Sequence, residues 1–415
     1  MRAVRAGGLT FVAQGLLGVG SYAILVASRQ ALSAEQFAVF AVFWSVVFAF
    51  GLGIFGPLEL LLFRLVAQRT TGAADVEIPR LRRWYLWVAL AMGIAAAAFL
   101  LWSAGGWWVA VCAAIYFVVL RILAIQRAEA GGSQRLGRYA AQVGADGGAR
   151  LVLAAGLLLL GAQQAAWWAG AVVAAGLLGA LAARDRGGQS PEAPLRPSAA
   201  SSARKSLRDV LILTGGTTVS VILSNSLPTV ATLLGSRGQQ LADFSSLTLV
   251  ARIPIFFSGL GAALVIPAVA ASTESGEPDT TRLVVRRVLT ITGLGTALLG
   301  VVLGLLLPLV AGVAFGVETS VGSVTVWLLA ISSAGLLFAL VSQGIAIGLG
   351  HMGYVAYIWL AALAAGALAL AVIPGSPDFR VAAASAVSAA VACLALLHTI
   401  VLMRRSGYRA ATTSA

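Results

Sequence analysis

The stretch AFGLGIFGPLELLLFR, Ala49 to Arg64, sets Gly51, Gly53 and Gly56 at the G-x-G-x-x-G spacing and follows them with Pro57 and one carboxylate, Glu59, in an apolar run. A dinucleotide fingerprint needs a strand before the glycines and a helix N-terminus after them, so that backbone N–H groups meet the pyrophosphate. Here the glycines fall late in a long hydrophobic segment, in a chain with 47 glycines. Pro57 removes a backbone donor and crowds the preceding turn. The stretch therefore reads as a hinge in a membrane helix, made of Gly51, Gly53, Gly56 and Pro57; Glu59 beside it reads either as an interfacial acid paired with a loop arginine or as a gate contact or proton site at the inner mouth.

Composition supports that reading. Of 415 residues 60% are hydrophobic and 10% charged, with a mean hydropathy of +0.94; water-soluble domains carry about a quarter charged residues. Spanning ~30 Å of hydrocarbon takes ~20 apolar residues. Twelve such runs occur, at roughly 7–27, 36–61, 84–102, 105–124, 143–161, 165–183, 209–233, 243–271, 288–313, 322–348, 353–373 and 381–402. The expected fold is an all-α polytopic membrane protein.

The basic residues test the count, because Lys and Arg accumulate in short cytoplasmic loops. With both termini cytoplasmic, 23 of the 28 fall inside, Arg29, Arg237 and Arg380 fall outside, and Arg150 and Arg252 lie within helices. The net charge of +13 is spread over inner loops without interleaved aromatics. It reads as an orientation signal, and no nucleic acid is expected as a partner. Trp84, Trp87, Trp102, Trp107, Trp108, Trp167 and Trp168 lie near helix ends, where amphipathic rings favour the headgroup region. Cys112 and Cys393 fall inside spans and leave no disulfide framework. Arg2 and Arg5 before an apolar run resemble a signal peptide, but the orientation count works with that helix retained.

Residues 184–208 are rich in Pro, Ser, Gly and Ala and read as a cytoplasmic linker. It divides a six-helix lobe at 1–183 from a second at 209–403, with a tail at 404–415. Six is even, so both lobes enter the membrane from the same side as parallel repeats. An echo supports this: Leu32-Ser33-Ala34-Glu35-Gln36-Phe37 opens the second helix of one lobe, and Leu241-Ala242-Asp243-Phe244 that of the other.

These residues carry a resemblance. Leu32 to Phe40, the glycines at 51–56 and the basic exit at Arg64 resemble the first hairpin of polysaccharide-biosynthesis flippases. Asp243-Phe244-Ser245 to Ile253-Pro254, then Val265-Ile266-Pro267, resemble that family's eighth helix. The family belongs to the multidrug, oligosaccharidyl-lipid and polysaccharide (MOP) exporter superfamily, and twelve helices fit its O-antigen branch. The resemblance implies a MATE-like pair of lobes in a bacterial inner membrane, working by alternating access without a cofactor. It implies transport of a polyprenyl-pyrophosphate-linked oligosaccharide to the outer leaflet, with membrane lipids and other polysaccharide-assembly proteins as further partners. A multidrug or cation antiporter of the same superfamily is the alternative, but such proteins typically place an acid on helix one, and residues 7–27 hold none. A membrane enzyme is disfavoured, since the outer loops are short and no catalytic triad or metal-ligand cluster occurs; a scaffold of polysaccharide assembly is a third reading.

A pyrophosphate headgroup calls for buried cations. Arg252, nine residues past Asp243, falls near the bilayer midplane, where an arginine costs about 2.5–3.5 kcal/mol on insertion scales. It is the first candidate for headgroup binding. Arg150 is the second, with Asp146 one turn before it at ion-pair spacing. Asn225, among Ser224, Ser226 and Pro228, and Gln343 are candidates for sugar hydroxyls. Each has a structural alternative: an internal ion pair for the arginines and helix packing for the amides. His351 and His398 read as structural.

Overall fold

The computed structural model describes residues 2–56, 59, 62, 77–104, 106–133, 135–183, 215–257, 265, 269, 278–317, 321–349 and 352–413. Pro57, Arg64, Ile266, Pro267, His351 and the whole linker at 184–208 lie outside the described residues. Everything described is helix, turn or short connection, with no strand among the described residues. Nine helices among the described residues are long and apolar enough to cross a membrane. The chain is a multi-pass membrane protein.

Two compact units form, one from residues 1–207 with 237–242 and one from 208–236 with 243–415. In the first unit α1 (Arg2–Ala31) is followed by α2 (Ala34–Val46), whose start is capped by the Ser33 hydroxyl accepting the Gln36 N–H. A π turn over Val47–Gly51 follows, and the helix resumes to Gly56. Then come α3 (Glu77–Ala104), α4 (Trp107–Gly132), α5 (Leu136–Leu159) and α6 (Ala165–Ala182). The irregularity expected at 51–57 thus begins earlier, at the π turn. Gly51 closes that turn, and a Cβ there would meet Leu120 Cδ1 at 2.3 Å, so the leucine side chain would have to move.

In the second unit the run expected as one helix over 209–233 is broken. Residues 215–225 form α7, Ser226 interrupts, and α8 (Leu227–Leu233) restarts with Pro228 at its first turn, where a missing N–H costs nothing. Next is α9 (Gly238–Ala251), which also stops short of the continuous 243–271 helix expected from hydropathy. It ends before Arg252, and a 3-10 turn follows over Ile253–Phe257. Pro254 explains the stop, because it has no N–H to donate and disfavours helical geometry in the residue before it. The unit is completed by α10 (Pro278–Phe315), α11 (Ser323–Gly348), α12 (Met352–Val372) and α13 (Pro377–Thr413).

The two units repeat each other's internal packing. In the first, α3 packs on α4, α4 on α6, α5 on α6, and α1 on α5. In the second, α10 packs on α11, α11 on α13 and α12 on α13; α7 lies against α12, where a Cβ on Gly216 would come within 2.6 Å of the Ala356 Cα. The α1–α5 contact is equally close, since a Cβ on Gly147 would sit 2.5 Å from the Leu17 N. Small residues here let backbones approach, which is how membrane helices associate without a hydrophobic drive. The irregular turns repeat as well: one starts ten residues past Phe37, at Val47, and the other nine past Phe244, at Ile253.

Candidate functional site

In the first unit one guanidinium joins four helices. Arg150, on α5 and 2% exposed, donates from Nε to Asp146 Oδ1 at 2.9 Å and from Nη2 to Oδ2 at 3.3 Å. Its Nη1 donates to Ser21 Oγ on α1 at 2.7 Å and its Nη2 to the Tyr116 hydroxyl on α4 at 2.9 Å. The rings of Trp44 and Phe48 on the second helix lie 5.9 and 5.5 Å from its centre, within cation–π range. Phe48 sits in the π turn, so the departure from α geometry falls where the helix meets this cation.

The network continues through Arg127 on α4. Its terminal nitrogens lie 3.7 Å from Asp146 and 3.8 Å from Glu59, both beyond hydrogen-bond reach, so one cation is shared between two acids. Two arginines and two carboxylates leave the cluster neutral. Gln142, fully buried one turn before Asp146, donates to the Leu123 carbonyl and to Gln126, whose own amide donates to the Ala180 carbonyl. Near the end of this bundle Arg82 is paired with Glu129. Of the expected first-lobe residues, Arg150 and Glu59 belong to one polar cluster, while Gly51 and Gly53 are buried, Gly51 against Leu120 and Phe117.

The second unit treats its arginine differently. Arg252, 5% exposed, occupies the turn between α9 and the 3-10 segment, with its own N–H bonded to the Thr248 and Leu249 carbonyls. Its Nη1 donates to Ser333 Oγ on α11 at 3.3 Å and its Nη2 to Ser385 Oγ on α13 at 3.1 Å; Ser385 also bonds Ser332 at 2.5 Å. Thr248 and Ser245 stand four and seven residues before Arg252, at the spacing of one helix face. Both are buried, and neither Oγ of Ser245 nor Oγ1 of Thr248 has a hydrogen-bond partner among the described residues. Buried hydroxyls left unmatched are costly and call for an explanation.

The two amides are engaged within the same unit. Gln343 Oε1 accepts the Trp359 indole N–H at 2.6 Å, which ties α11 to α12. Asn225 Nδ2 donates to the Val221 carbonyl one turn back, at the end of α7. Ser236 donates to Asp378, closing α13's first turn on the loop after α8.

Two cavities open in the second unit. One, of about 420 Å³, is walled by hydrocarbon side chains of Ile253, Pro254, Leu337 and one face of α10. The other, of about 150 Å³, is lined partly by Ser226, Ser385 and Ser388. Among the described residues no cluster of His, Cys, Asp and Glu is arranged to hold a metal ion.

No family model and no curated protein matches the sequence. Solved structures do match along nearly the whole chain. The fold is that of the MATE transporters of the MOP superfamily. An inward-facing multidrug resistance MATE family transporter aligns over 94% of this chain and 96% of its own, with a TM-score of 0.65 and 14% identity. A mutant of the Vibrio cholerae MATE transporter VcmN gives 0.59 over 96% and 97% at 14% identity. The eukaryotic MATE transporter AtDTX14 gives 0.57 over 97% and 98% at 16% identity. At such identities the likeness is one of fold.

Proposed function

We propose that the protein is a membrane transporter that moves an anionic amphiphile, a polyprenyl-pyrophosphate-linked oligosaccharide, from the inner to the outer leaflet of a bacterial inner membrane by alternating access. The observation that carries this is Arg252: a cation in a helix break, held by serine hydroxyls, with two unmatched hydroxyls on its own helix face. A guanidinium supplies a donor fork for phosphate oxygens, and unmatched hydroxyls supply donors and acceptors for a sugar. Lipid-linked oligosaccharides offer both partners in one molecule. Arg150 plays a structural part in this reading, because its donors are spent on Asp146, Ser21 and Tyr116. Gln343 positions α11 against α12 through Trp359, while the Asn225 bond to the Val221 carbonyl stays within α7.

A second reading has one observation in its favour: the solved structures of the same fold include a multidrug resistance transporter. Export of cationic drugs asks for carboxylates at the binding surface, whereas the buried groups that lead along α9 to Arg252 are the hydroxyls of Ser245 and Thr248, with one carboxylate, Asp243, earlier on the helix. Depleting the protein from its own cells and analysing their lipids separates the two. Accumulation of a polyprenyl-pyrophosphate oligosaccharide in the cytoplasmic leaflet is expected. Retention of cationic drugs with no lipid intermediate would overturn the flippase reading.

A further inference from the structure

We infer that the 420 Å³ cleft beside Arg252 is a seat for the polyprenyl tail of the transported lipid. The inference rests on the flippase reading and adds a tail subsite to it.

The shape follows from the chain break. Where α9 stops at Ala251, the 3-10 turn turns Ile253 and Pro254 to the cleft, and Leu337 of α11 forms part of the opposite wall. The remaining wall is a single stripe on α10 running from Leu299 through Val302 and Leu306 to Val310, at the three-and-four spacing of one helix face. Eleven residues of rise make this stripe about 16 Å long, roughly half the hydrocarbon thickness. Its long axis is that of α10, a membrane-crossing helix, so a chain lying in it runs in the direction of lipid tails.

The chemistry of the wall selects the occupant. Every side chain lining the cleft is aliphatic or proline. Such a wall gives water no polar partner, so hydrocarbon fills it in a membrane. The cleft is continuous with the bilayer-facing surface: Leu298, Leu305 and Leu309 beside the stripe are 66%, 64% and 62% exposed. Arg252 does not line the cleft, and its partner Ser385 lines the smaller cavity, but chain and helix geometry set the cation next to the cleft wall. Arg252 directly precedes Ile253, and Ser333, which accepts its guanidinium N–H, stands one helical turn before Leu337 on α11. A buried cation next to a dry groove matches a molecule with an anionic head on a long hydrocarbon tail. A polyprenyl phosphate engages both, and an anionic bilayer lipid, which also carries a phosphate, is the rival occupant that competition separates from it.

The test uses the full chain in phosphatidylcholine nanodiscs with a long-chain polyprenyl phosphate carrying a photoreactive group on its tail. Labelling should be saturable and should map to the peptide holding residues 299–310. Leu306→Trp, which fills the cleft from a half-exposed position, should cut that labelling at least about tenfold, as expected for losing a few buried methylenes. Leu305→Trp, on the adjoining lipid-facing ridge, should leave it within about twofold. Thermal melting of both variants within a few degrees of the parent confirms that they fold. If the probe binds saturably but labels elsewhere, or ignores Leu306→Trp, the tail seat is overturned while the flippase reading stands. If excess phosphatidylglycerol displaces the probe as readily as unlabelled polyprenyl phosphate does, both fall.

Discussion

Replacing Arg150 with methionine tests whether the first unit is held together by its buried ion pair. The substitution keeps an unbranched side chain of similar reach and removes the guanidinium. Asp146, whose side chain is 1% exposed, then loses contacts of 2.9 and 3.3 Å and keeps only Arg127 at 3.7 Å, too far for a hydrogen bond. Ser21 and Tyr116 lose their shared donor at the same time. Stranding one member of a buried pair costs about 3–5 kcal/mol. For a unit of this size each kcal/mol moves the midpoint by roughly 2–4 °C, so Arg150→Met should lower melting by roughly 6–20 °C. Replacing both partners, as in Asp146→Asn with Arg150→Met, leaves no buried charge stranded and should recover most of that loss. The ten tryptophans provide an intrinsic fluorescence readout in detergent. A single mutant melting within about 2 °C of the parent, or a double mutant no better than the single, would refute the claim that the pair is structural.

Gly147→Ala should abolish folded yield, because its Cβ would fall 2.5 Å from the Leu17 N and 2.6 Å from its Cα, and backbone cannot step aside as a side chain can; size-exclusion recovery after solubilisation reads this out. Glu59→Gln should cost under about 1 kcal/mol, since its carboxylate is 20% exposed and reaches Arg127 only at 3.8 Å, and Arg127 keeps Asp146. A melting loss above about 5 °C would instead make Glu59 a structural anchor. Arg252→Lys keeps the charge but cannot span Ser333 on α11 and Ser385 on α13 with one planar fork. It should lower lipid-linked oligosaccharide export at least about tenfold with melting nearly unchanged, and wild-type export would remove Arg252 from substrate handling.

Most of the helices were legible because a membrane forces every backbone polar group to be satisfied within its own segment, which makes apolar length a direct measure of a span. The same rule explains where hydropathy misled. It merges a helix with whatever apolar chain follows, so 209–233 and 243–271 read as single spans although Pro228 and Pro254 mark the breaks at Ser226 and Arg252. Conversely, α5 is continuous from Leu136 to Leu159 yet is absent from the nine helices that pass on apolarity, because Arg138, Asp146 and Arg150 lie in it. The Asp146–Arg150 pair was legible from its four-residue spacing. Its other partners were not, because Ser21 and Tyr116 are 129 and 34 residues away and only the packing of α1, α4 and α5 brings them together. Glycine spacing pointed at the right part of α2, but the π turn at 47–51 has no signature of its own in Val-Phe-Ala-Phe-Gly.

The two buried arginines looked alike in the sequence, and what each is given as a partner separates their roles. A guanidinium facing a carboxylate at hydrogen-bond distance is already neutralised, and an incoming phosphate would have to displace the acid and leave it stranded at 1% exposure, at a cost of several kcal/mol. That makes Arg150 a poor ligand site and a good fastener, and the hydroxyl, phenol and ring contacts around it serve the fastening. Hydroxyls carry no charge to displace. Ser333 and Ser385 orient the Arg252 fork at modest cost, and Ser385 is itself tied to Ser332. In the proposed flippase reading these serines are the part of the Arg252 surroundings that a passing phosphate engages without displacing a carboxylate. The internal repeat sharpens the point: both second helices depart from α geometry at matching positions. In the first unit the turn packs an aromatic ring on a satisfied cation; in the second it carries a cation held by serines beside unmatched hydroxyls.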